Sequence, residues 1–287
     1  MSSRHDVRAP SASGGPRGET RPRPSARSLL LTVLGEWVLP RERPVWSGSL
    51  IAALRLLGTQ EKAARQALVR IAAAGWLQGQ RQGRRVRWQL TPAGRELLRT
   101  GADRIYAFVP AREAWDGRWL VLLTSVPEAR RDARHVLRTR LAWAGFGSLG
   151  QGVWLSPDVQ REAEAQRILA ALGPPARAYS LEARFGAIGE ERELAAQAWD
   201  MAELNARYAQ FTTEFRQSQA ETDADCFVAQ ARLVHAWRKF PFIDPGLPRR
   251  LLPAEWAGTA AWQLFLALHE RWQAPASRWW EQASSAR

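Results

Sequence analysis

The chain has 287 residues, 46% of them hydrophobic, and a formal net charge of +13. This length predicts two or three domains, and no stretch approaches the roughly 18 apolar residues of a membrane-spanning helix. The single cysteine excludes an internal disulfide, and the four histidines lack the spacing of metal ligands. Because the N-terminus also lacks the apolar segment of a secretory signal, we expect a cytoplasmic protein without a structural metal.

The positive charge is concentrated toward the N-terminus. The net charge is +4 for residues 1–27, +8 for 28–105, +3 for 106–184 and −2 for 185–287. An arginine-rich composition can raise the total by itself, whereas a localised surplus indicates an anionic partner for one segment. The first third of the chain is therefore the candidate nucleic-acid-binding part.

The first 24 residues predict a disordered basic arm. They consist mainly of Pro, Gly, Ser and Arg and contain almost nothing that could be buried. Such a segment cannot offset the entropy lost on ordering.

Residues 25–105 have the pattern of three helices, a β-hairpin and a fourth helix. The predicted elements are helices over 25–40, 49–57 and 60–74, strands around 76–77 and 86–90 joined by a turn at "GQRQG", and a helix over 91–101. Thr59 is the expected N-cap of the third helix, and Thr91 with Pro92 are expected to begin the fourth. This order is typical of a winged helix-turn-helix.

The third helix and the hairpin carry side chains suited to DNA. Arginine and glutamine can bind guanine and adenine edges bidentately in the major groove, and an arginine hairpin can reach the adjacent backbone or minor groove. The predicted DNA-binding residues are Thr59, Lys62, Arg65, Gln66, Arg70, Arg81, Arg84, Arg85 and Arg87. A solvated helix face and turn are the simpler alternative, which we set aside because both basic elements belong to one module.

Within this set we assign two roles. Arg65 and Gln66 are expected to contact bases, because they face away from the apolar side of the third helix. Arg84, Arg85 and Arg87 are expected to contact the DNA backbone, because they extend from a short hairpin.

Residues 115–186 show a βαββαβ pattern. The predicted elements are a strand over 118–126, a helix over 128–145, two strands within 146–158, a helix over 159–173 and a strand over 176–185. This order indicates a ferredoxin-like middle domain, a fold that hosts many functions.

Residues 190–275 are predicted to form a helical C-terminal domain. The expected helices cover 190–217, 222–239 and 257–273, with a proline-rich connector at 240–256. The whole chain is therefore assigned to the α+β class.

Several blocks resemble the PaaX-type transcriptional repressors, which control phenylacetate catabolism in bacteria and respond to phenylacetyl-CoA. They are "RSLLLTVLGEWV" (27–38), "AARQALVRIAAAGWL" (63–77), "GRRVRWQLTPAG" (83–94), "WDGRWLVLL" (115–123), "WAGFGSLGQGVWLSP" (143–157) and "FPFIDPGLPRRLLPAEW" (240–256). The resemblance implies a homodimer that binds a palindromic operator in double-stranded DNA. It also implies release from the operator by phenylacetyl-CoA or a related aryl-acyl-CoA effector. We expect no cofactor.

Two other functions stay open at this point. The family's middle domain resembles the ferredoxin-fold nucleases of CRISPR systems, so a metal-dependent nucleic-acid nuclease is one alternative. Members often carry an aspartate after the first strand of that domain, where "TSVPE" places Ser125 here. A carboxylate is what a metal-assisted nuclease needs at this position, and we therefore expect no enzyme. A DNA-binding regulator without a small ligand is the other alternative.

The candidate effector residues are scattered along the chain. They are Arg130, Arg134, Trp143, His235 and Arg238. Arg130 and Arg134 could contact a polyanion, the segment "HAWRKF" with Asp244 behind it could contact a thioester ligand, and tryptophans could line an aryl pocket. Solvated helix faces, a basic helix end and ordinary core tryptophans are the simpler interpretations. If the effector site exists, we expect it where the middle and C-terminal domains meet.

Overall fold

The computed structural model describes residues 24–127, 129–173 and 177–285. The arm predicted over residues 1–24 lies outside these ranges, apart from Pro24. We refer below to an N-terminal unit (residues 24–107), a middle unit (residues 112–184) and a C-terminal unit (residues 190–285).

The N-terminal unit has the predicted order of helices and hairpin strands, with one additional strand. Its elements are α1 (Ala26–Val33), β1 (Val45–Trp46), α2 (Ser47–Leu56), α3 (Glu61–Ala73), β2 (Leu77–Gln82), β3 (Arg85–Leu90) and α4 (Pro92–Tyr106). The three strands form an antiparallel sheet in the order β1-β3-β2. The sequence analysis missed β1, because two residues are too few to show the alternation of a strand.

Thr59 is not the N-cap of α3, contrary to the prediction. Gln60 occupies that position and makes no side-chain capping bond. Thr59 instead completes the end of α2: Gly58 has a φ of 85°, and the Thr59 N–H donates to the Leu54 carbonyl at 2.9 Å. Because the backbone reverses at Gly58, the Thr59 N–H is bonded to the end of α2. The N-cap position of α3 therefore falls on the next residue.

The hairpin turns later than "GQRQG" suggested. β2 continues through Gly79 to Gln82, and the reversal occurs at Gly83, whose φ of 61° favours glycine. Gly79 lies opposite Trp88 in the register, where a Cβ would be 3.0 Å from the indole ring. This glycine therefore makes room for a neighbouring side chain within the strand.

The middle unit contains a four-stranded antiparallel sheet with two main helices. Its elements are β4 (Arg118–Ser125), α5 (Arg131–Trp143), β5 (Gly147–Gly150), β6 (Val153–Ser156), α6 (Glu162–Ala170) and β7 (Arg177–Arg184). The strand order is β5-β6-β4-β7. Leu120 and Leu122 of β4 pack with Leu137 and Leu141 of α5, forming a small core of the middle unit.

The C-terminal unit is helical, but its boundaries differ from the prediction. Its helices are α7 (Glu191–Ala198), α8 (Met201–Arg216), α9 (Asp223–Trp237), α10 (Phe240–Ile243) and α11 (Gly258–Ser285). The expected helix over 190–217 is interrupted, because Asp200 caps α8 with a side-chain bond to the Glu203 N–H. The last helix continues through Pro275 instead of ending at residue 273.

The N-terminal and C-terminal units share one hydrophobic core. Trp37, which follows α1, lies 4.3 Å from Phe227 of α9 and 6.4 Å from Trp280 of α11, measured between ring centroids. All three rings are almost fully buried. The residues beyond Pro275 thus belong to this core, which explains why α11 does not stop at the proline.

A polar contact joins the same two units. Glu36 lies on a π-helical turn, Leu34–Val38, that continues α1. Its carboxylate accepts hydrogen bonds from the Tyr106 hydroxyl of α4 and from the Gln230 amide of α9, the latter at 3.1 Å. His269 Nε2 of α11 lies 3.1 Å from the same carboxylate. Apolar and polar contacts together fix the C-terminal helices against the N-terminal unit.

Candidate DNA-binding surface

Helix α3 separates a buried apolar side from an exposed polar side. Ala64, Ala67, Leu68 and Ile71 are buried against the rest of the N-terminal unit, as the sequence predicted. The exposed side presents Lys62, Arg65, Gln66, Val69 and Arg70. Side chains spaced in this way along one helix face can enter a major groove together.

Arg65 is held by an acidic neighbour on its own helix. Its Nε and Nη2 donate to Glu61 Oε1 at 3.0 and 2.7 Å. These hydrogen bonds with Arg65 lower the pKa of the Glu61 carboxyl, and the more distant Arg55 guanidinium, 4.0 Å away, contributes as well. The guanidinium of Arg65 must leave this exposed pair to contact a base edge, and such pairs are weak enough to exchange.

The base of the hairpin is fixed by one tryptophan. The Trp88 indole N–H donates to Ser47 Oγ at 2.8 Å, and Ser47 Oγ donates to the Val86 carbonyl at 3.1 Å. Ser47 is the first residue of α2, so these bonds connect that helix to β3. The hairpin is therefore attached rigidly at its base while its tip extends into solvent.

The arginines of the hairpin are not equivalent. Arg81, Arg84 and Arg85 are exposed near the tip, and the Arg81 Nε donates to the Gly83 carbonyl at 3.1 Å. Arg87 is partly buried instead, with its guanidinium 5.0 Å from the Trp46 ring centroid. Its Nε is buried and has no hydrogen-bond partner among the described residues. Because it stacks on β1, Arg87 differs from the exposed backbone-contacting residue that we expected.

Two exposed residues beside the predicted set were not included in it. Val69 is 62% exposed on α3, where an apolar group can contact a thymine methyl. Arg55, in the last turn of α2, adds a cation beside Glu61. Helical periodicity alone places Val69 on this face, whereas the position of Arg55 depends on the angle between two helices.

The candidate effector residues lie in two separate places. His235 and Arg238 face α1: His235 Nδ1 is 3.4 Å from Thr32 Oγ1, and the Arg238 Nη2 donates to Ser28 Oγ at 2.6 Å. They therefore face the N-terminal unit, and not the boundary between the middle and C-terminal units where we expected the site.

The other three effector candidates lie on or beside α5. The Arg130 and Arg134 guanidinium groups donate to the carbonyls of Leu172 and Val126, both at 3.3 Å. Trp143 is 60% exposed. The hydrogen bonds of Arg130 and Arg134 thus lie within the middle unit, whereas those of His235 and Arg238 reach α1.

Within the described ranges, no group of three or more His, Cys, Asp or Glu side chains is arranged to hold a metal ion. Ser125, which occupies the position where family members often carry an aspartate, is exposed at the end of β4. The described helices include none that combines the length and apolarity needed to cross a membrane.

Comparison with known proteins gives a consistent assignment along the chain. Three profiles match: the PaaX-like protein at residues 25–94, the PaaX protein central Cas2-like domain at 112–195 and the PaaX-like protein C-terminal domain at 199–282.

Two individual proteins are similar to this chain over most of its length. The chain is 34% identical over 258 residues to the transcriptional repressor PaaX of Escherichia coli K12, covering 86% of this chain and 80% of the relative. It is also similar to the structure of an uncharacterized protein from Mycobacterium tuberculosis, with a TM-score of 0.61, 25% identity, and coverage of 90% of this chain and 98% of the other. The chain belongs to the PaaX family.

Proposed function

We propose that this protein is a transcriptional repressor of a phenylacetate-type catabolic operon, and not an enzyme. In this proposal the N-terminal unit is a winged helix-turn-helix, the middle unit is ferredoxin-like, and the protein binds operator DNA as a homodimer. The observation that carries the proposal is the exposed polar side of α3 beside the arginine tip of the hairpin. The relationship to the Escherichia coli repressor supports the same function.

DNA would be contacted by two elements with different tasks. Gln66 and Arg65 on α3 supply bidentate groups for base edges in the major groove. Arg84 and Arg85 at the hairpin tip supply charge for the adjacent backbone, which adds affinity without sequence preference. The rigid attachment of the hairpin through Trp88 and Ser47 keeps both elements in one register on the duplex.

An aryl-acyl-CoA is proposed as the effector that releases the operator. A ligand can shift a protein between two conformations only if it binds them with different affinities. The coupling is reciprocal, so operator DNA must weaken effector binding by the same factor by which the effector weakens operator binding.

The test begins with a duplex that the protein selects from a random library. We expect a palindromic site whose half-sites lie about one helical turn apart. Failure to select any preferred sequence would contradict the repressor function, and cleavage of the duplex with Mg²⁺ would favour the nuclease alternative.

Calorimetry then measures phenylacetyl-CoA binding with and without this duplex, and acetyl-CoA and free CoA serve as controls. We expect at least tenfold weaker phenylacetyl-CoA binding in the presence of the duplex. Equal affinities would leave a DNA-binding regulator but reject release by this effector.

A further inference from the structure

A groove lies between the DNA-binding helices and the C-terminal unit. Its volume is about 550 Å³, which is within the usual size range of small-molecule sites. We call it the turn groove, because one wall is the turn between α2 and α3. Its lining includes Leu29, Leu57, Gly58, Thr59, Glu214, Arg232, His235, Ala236 and Lys239.

The turn groove combines an apolar floor with a cationic side. Leu29 and Leu57 are buried and come from the N-terminal unit. Arg232 and Lys239 come from α9 and the residues after it, and both are exposed. Glu214 of α8 is the acidic residue in this lining, so cations exceed anions there although residues 185–287 carry a net charge of −2.

A buried histidine, His235, lies at the inner edge of the turn groove. His235 is 6% exposed and faces Thr32 of α1 across 3.4 Å. Its ring therefore lies between the groove and the helix that begins the N-terminal unit. A ligand in the groove would touch elements of both units at once.

The position of the groove connects it to α3. Gly58 has a φ of 85°, and the next N–H, of Thr59, bonds back to α2. Helix α3 begins two residues later, at Glu61. A ligand against Gly58 and Thr59 would contact the segment that sets the angle between α2 and the DNA-facing helix.

We propose that the turn groove binds an amphiphilic anion, with its apolar group against Leu29 and Leu57 and its negative charge toward Arg232 and Lys239. Occupancy changes the position of the turn and thereby the orientation of α3 on DNA. This inference rests on the proposed function in taking the ligand to be the effector that releases the operator.

Another cavity lies beside the hairpin base and is lined by Arg41, Arg43 and Arg87. Its lining does not include the turn between α2 and α3, whereas the turn groove contacts Gly58 and Thr59 of that turn directly. A ligand in the turn groove is therefore better placed to change the orientation of α3.

Two variants of the full-length protein test the site. Arg232→Glu reverses an exposed charge beside the groove, and Ala236→Trp fills the groove from α9. Arg271→Glu on α11 is the matched control, because it makes the same charge change at an exposed position outside the lining. Thermal unfolding followed by circular dichroism checks that each variant is folded.

The first measurement uses 8-anilinonaphthalene-1-sulfonate, an aromatic sulfonate that fluoresces in apolar sites. We expect both groove variants to bind this probe at least tenfold more weakly than the wild type, and the Arg271→Glu control to stay within twofold. Equal binding by all four proteins would overturn the proposed site, whatever the natural effector is.

The second measurement uses phenylacetyl-CoA and the selected operator duplex. We expect the groove variants to lose at least tenfold in phenylacetyl-CoA affinity and to remain on the duplex at concentrations that release the wild type and the control. If the wild type and both groove variants are released alike, the function stands and the groove is rejected. If the wild type binds the sulfonate in the groove but no acyl-CoA, the groove stands and the proposed effector is rejected.

Discussion

Arg65 illustrates how a DNA-contacting side chain can be occupied in the free protein. Its pair with Glu61 spans one helical turn, and the same arrangement occurs between Arg207 and Glu203 on α8, with an N–O distance of 2.8 Å. Exposed pairs of this kind contribute little to stability, because water and salt screen the two charges. Base contacts of Arg65 can therefore replace the pair at little cost.

We predict that Arg65→Ala or Gln66→Ala weakens operator binding by roughly 1–3 kcal/mol and relaxes base preference at one position. Binding to operators with single base substitutions, followed by fluorescence anisotropy, measures both effects. Arg207→Ala is the matched control, because it removes the equivalent pair from α8 of the C-terminal unit. An equal loss on random DNA would show that the two residues contact phosphates instead.

Asp244 is the buried acid of the C-terminal unit. It accepts hydrogen bonds from the Tyr208 hydroxyl and the Gly246 N–H, both at 2.7 Å, and is 0% exposed. Burial raises the pKa of Asp244 to about 7, although these hydrogen bonds and the nearby Arg161 and Arg112 oppose the rise. By accepting the Gly246 N–H, the side chain closes the turn that contains Pro245.

The raised pKa predicts a pH-dependent contribution to stability. The folded protein binds this proton more tightly than the unfolded chain, so the contribution is full below about pH 4 and is lost as the pH rises through about 7. The loss is on the order of 4 kcal/mol at most. Asp244→Asn cannot titrate, so the unfolding free energy of the wild type should fall relative to the variant between pH 5 and 8. Urea unfolding at the two pH values gives both free energies. An equal change in unfolding free energy for the wild type and the variant would contradict this prediction.

The hairpin is the element whose side chains divide most clearly by role. Arg84 and Arg85 are exposed, whereas Arg87 lies against Trp46 of the adjacent strand. Backbone contacts to DNA release counterions, so each lost phosphate contact lowers the salt dependence of affinity by about 0.9 in slope. The three arginines should therefore differ in a salt titration although they are neighbours in sequence.

We predict that Arg84→Ala and Arg85→Ala each reduce the slope of log affinity against log salt by about 0.9. Arg87→Ala serves as the comparison and should change the slope less, while lowering the thermal stability through lost packing on Trp46. Anisotropy titrations at several salt concentrations give the slopes. A full reduction with Arg87→Ala, or none with the other two, would contradict the assignment.

Helices and strands whose apolar residues recur at regular spacing were predictable from the sequence. Elements that depend on contacts between residues far apart in the sequence were not. The apolar side of α3 and the cap at Thr91, which accepts the Gly94 N–H at 3.0 Å, follow from local patterns. Strand β1 exists because it pairs with β3, and α11 continues past Pro275 because Trp280 is buried against another unit. Neither cause is visible in a local window of sequence.

The same distinction applies to the candidate sites. The exposed side chains of α3 follow from helical spacing, so the sequence could identify them. Arg87 alternates with Val86 and Trp88 like an exposed strand residue, and only the pairing with β1 shows that it stacks on Trp46. The turn groove combines residues from α1, α8 and α9. Helices α1 and α9 are about two hundred positions apart in the sequence, as the contact between Thr32 and His235 shows.

At the scale of the whole molecule, the shared core makes the N-terminal unit dependent on the C-terminal helices. Trp37 is 1% exposed because Phe227 and Trp280 cover it. We predict that a fragment of residues 24–107 does not fold cooperatively, since separation exposes this ring and leaves the Glu36 carboxylate without its Gln230 and His269 neighbours. Circular dichroism during heating measures this, with the full-length chain as control. A sharp transition of the isolated fragment would contradict it.

The shared core also affects how DNA specificity can diverge among relatives. Exchanging the N-terminal unit between two family members would join halves of a core that had adapted separately, so most such chimeras would be poorly packed. Lys62, Gln66 and Val69 on α3 lie outside that core. Point substitutions at these positions can alter the preferred operator while leaving the buried contacts intact, which makes gradual surface change the accessible evolutionary route to new target sites.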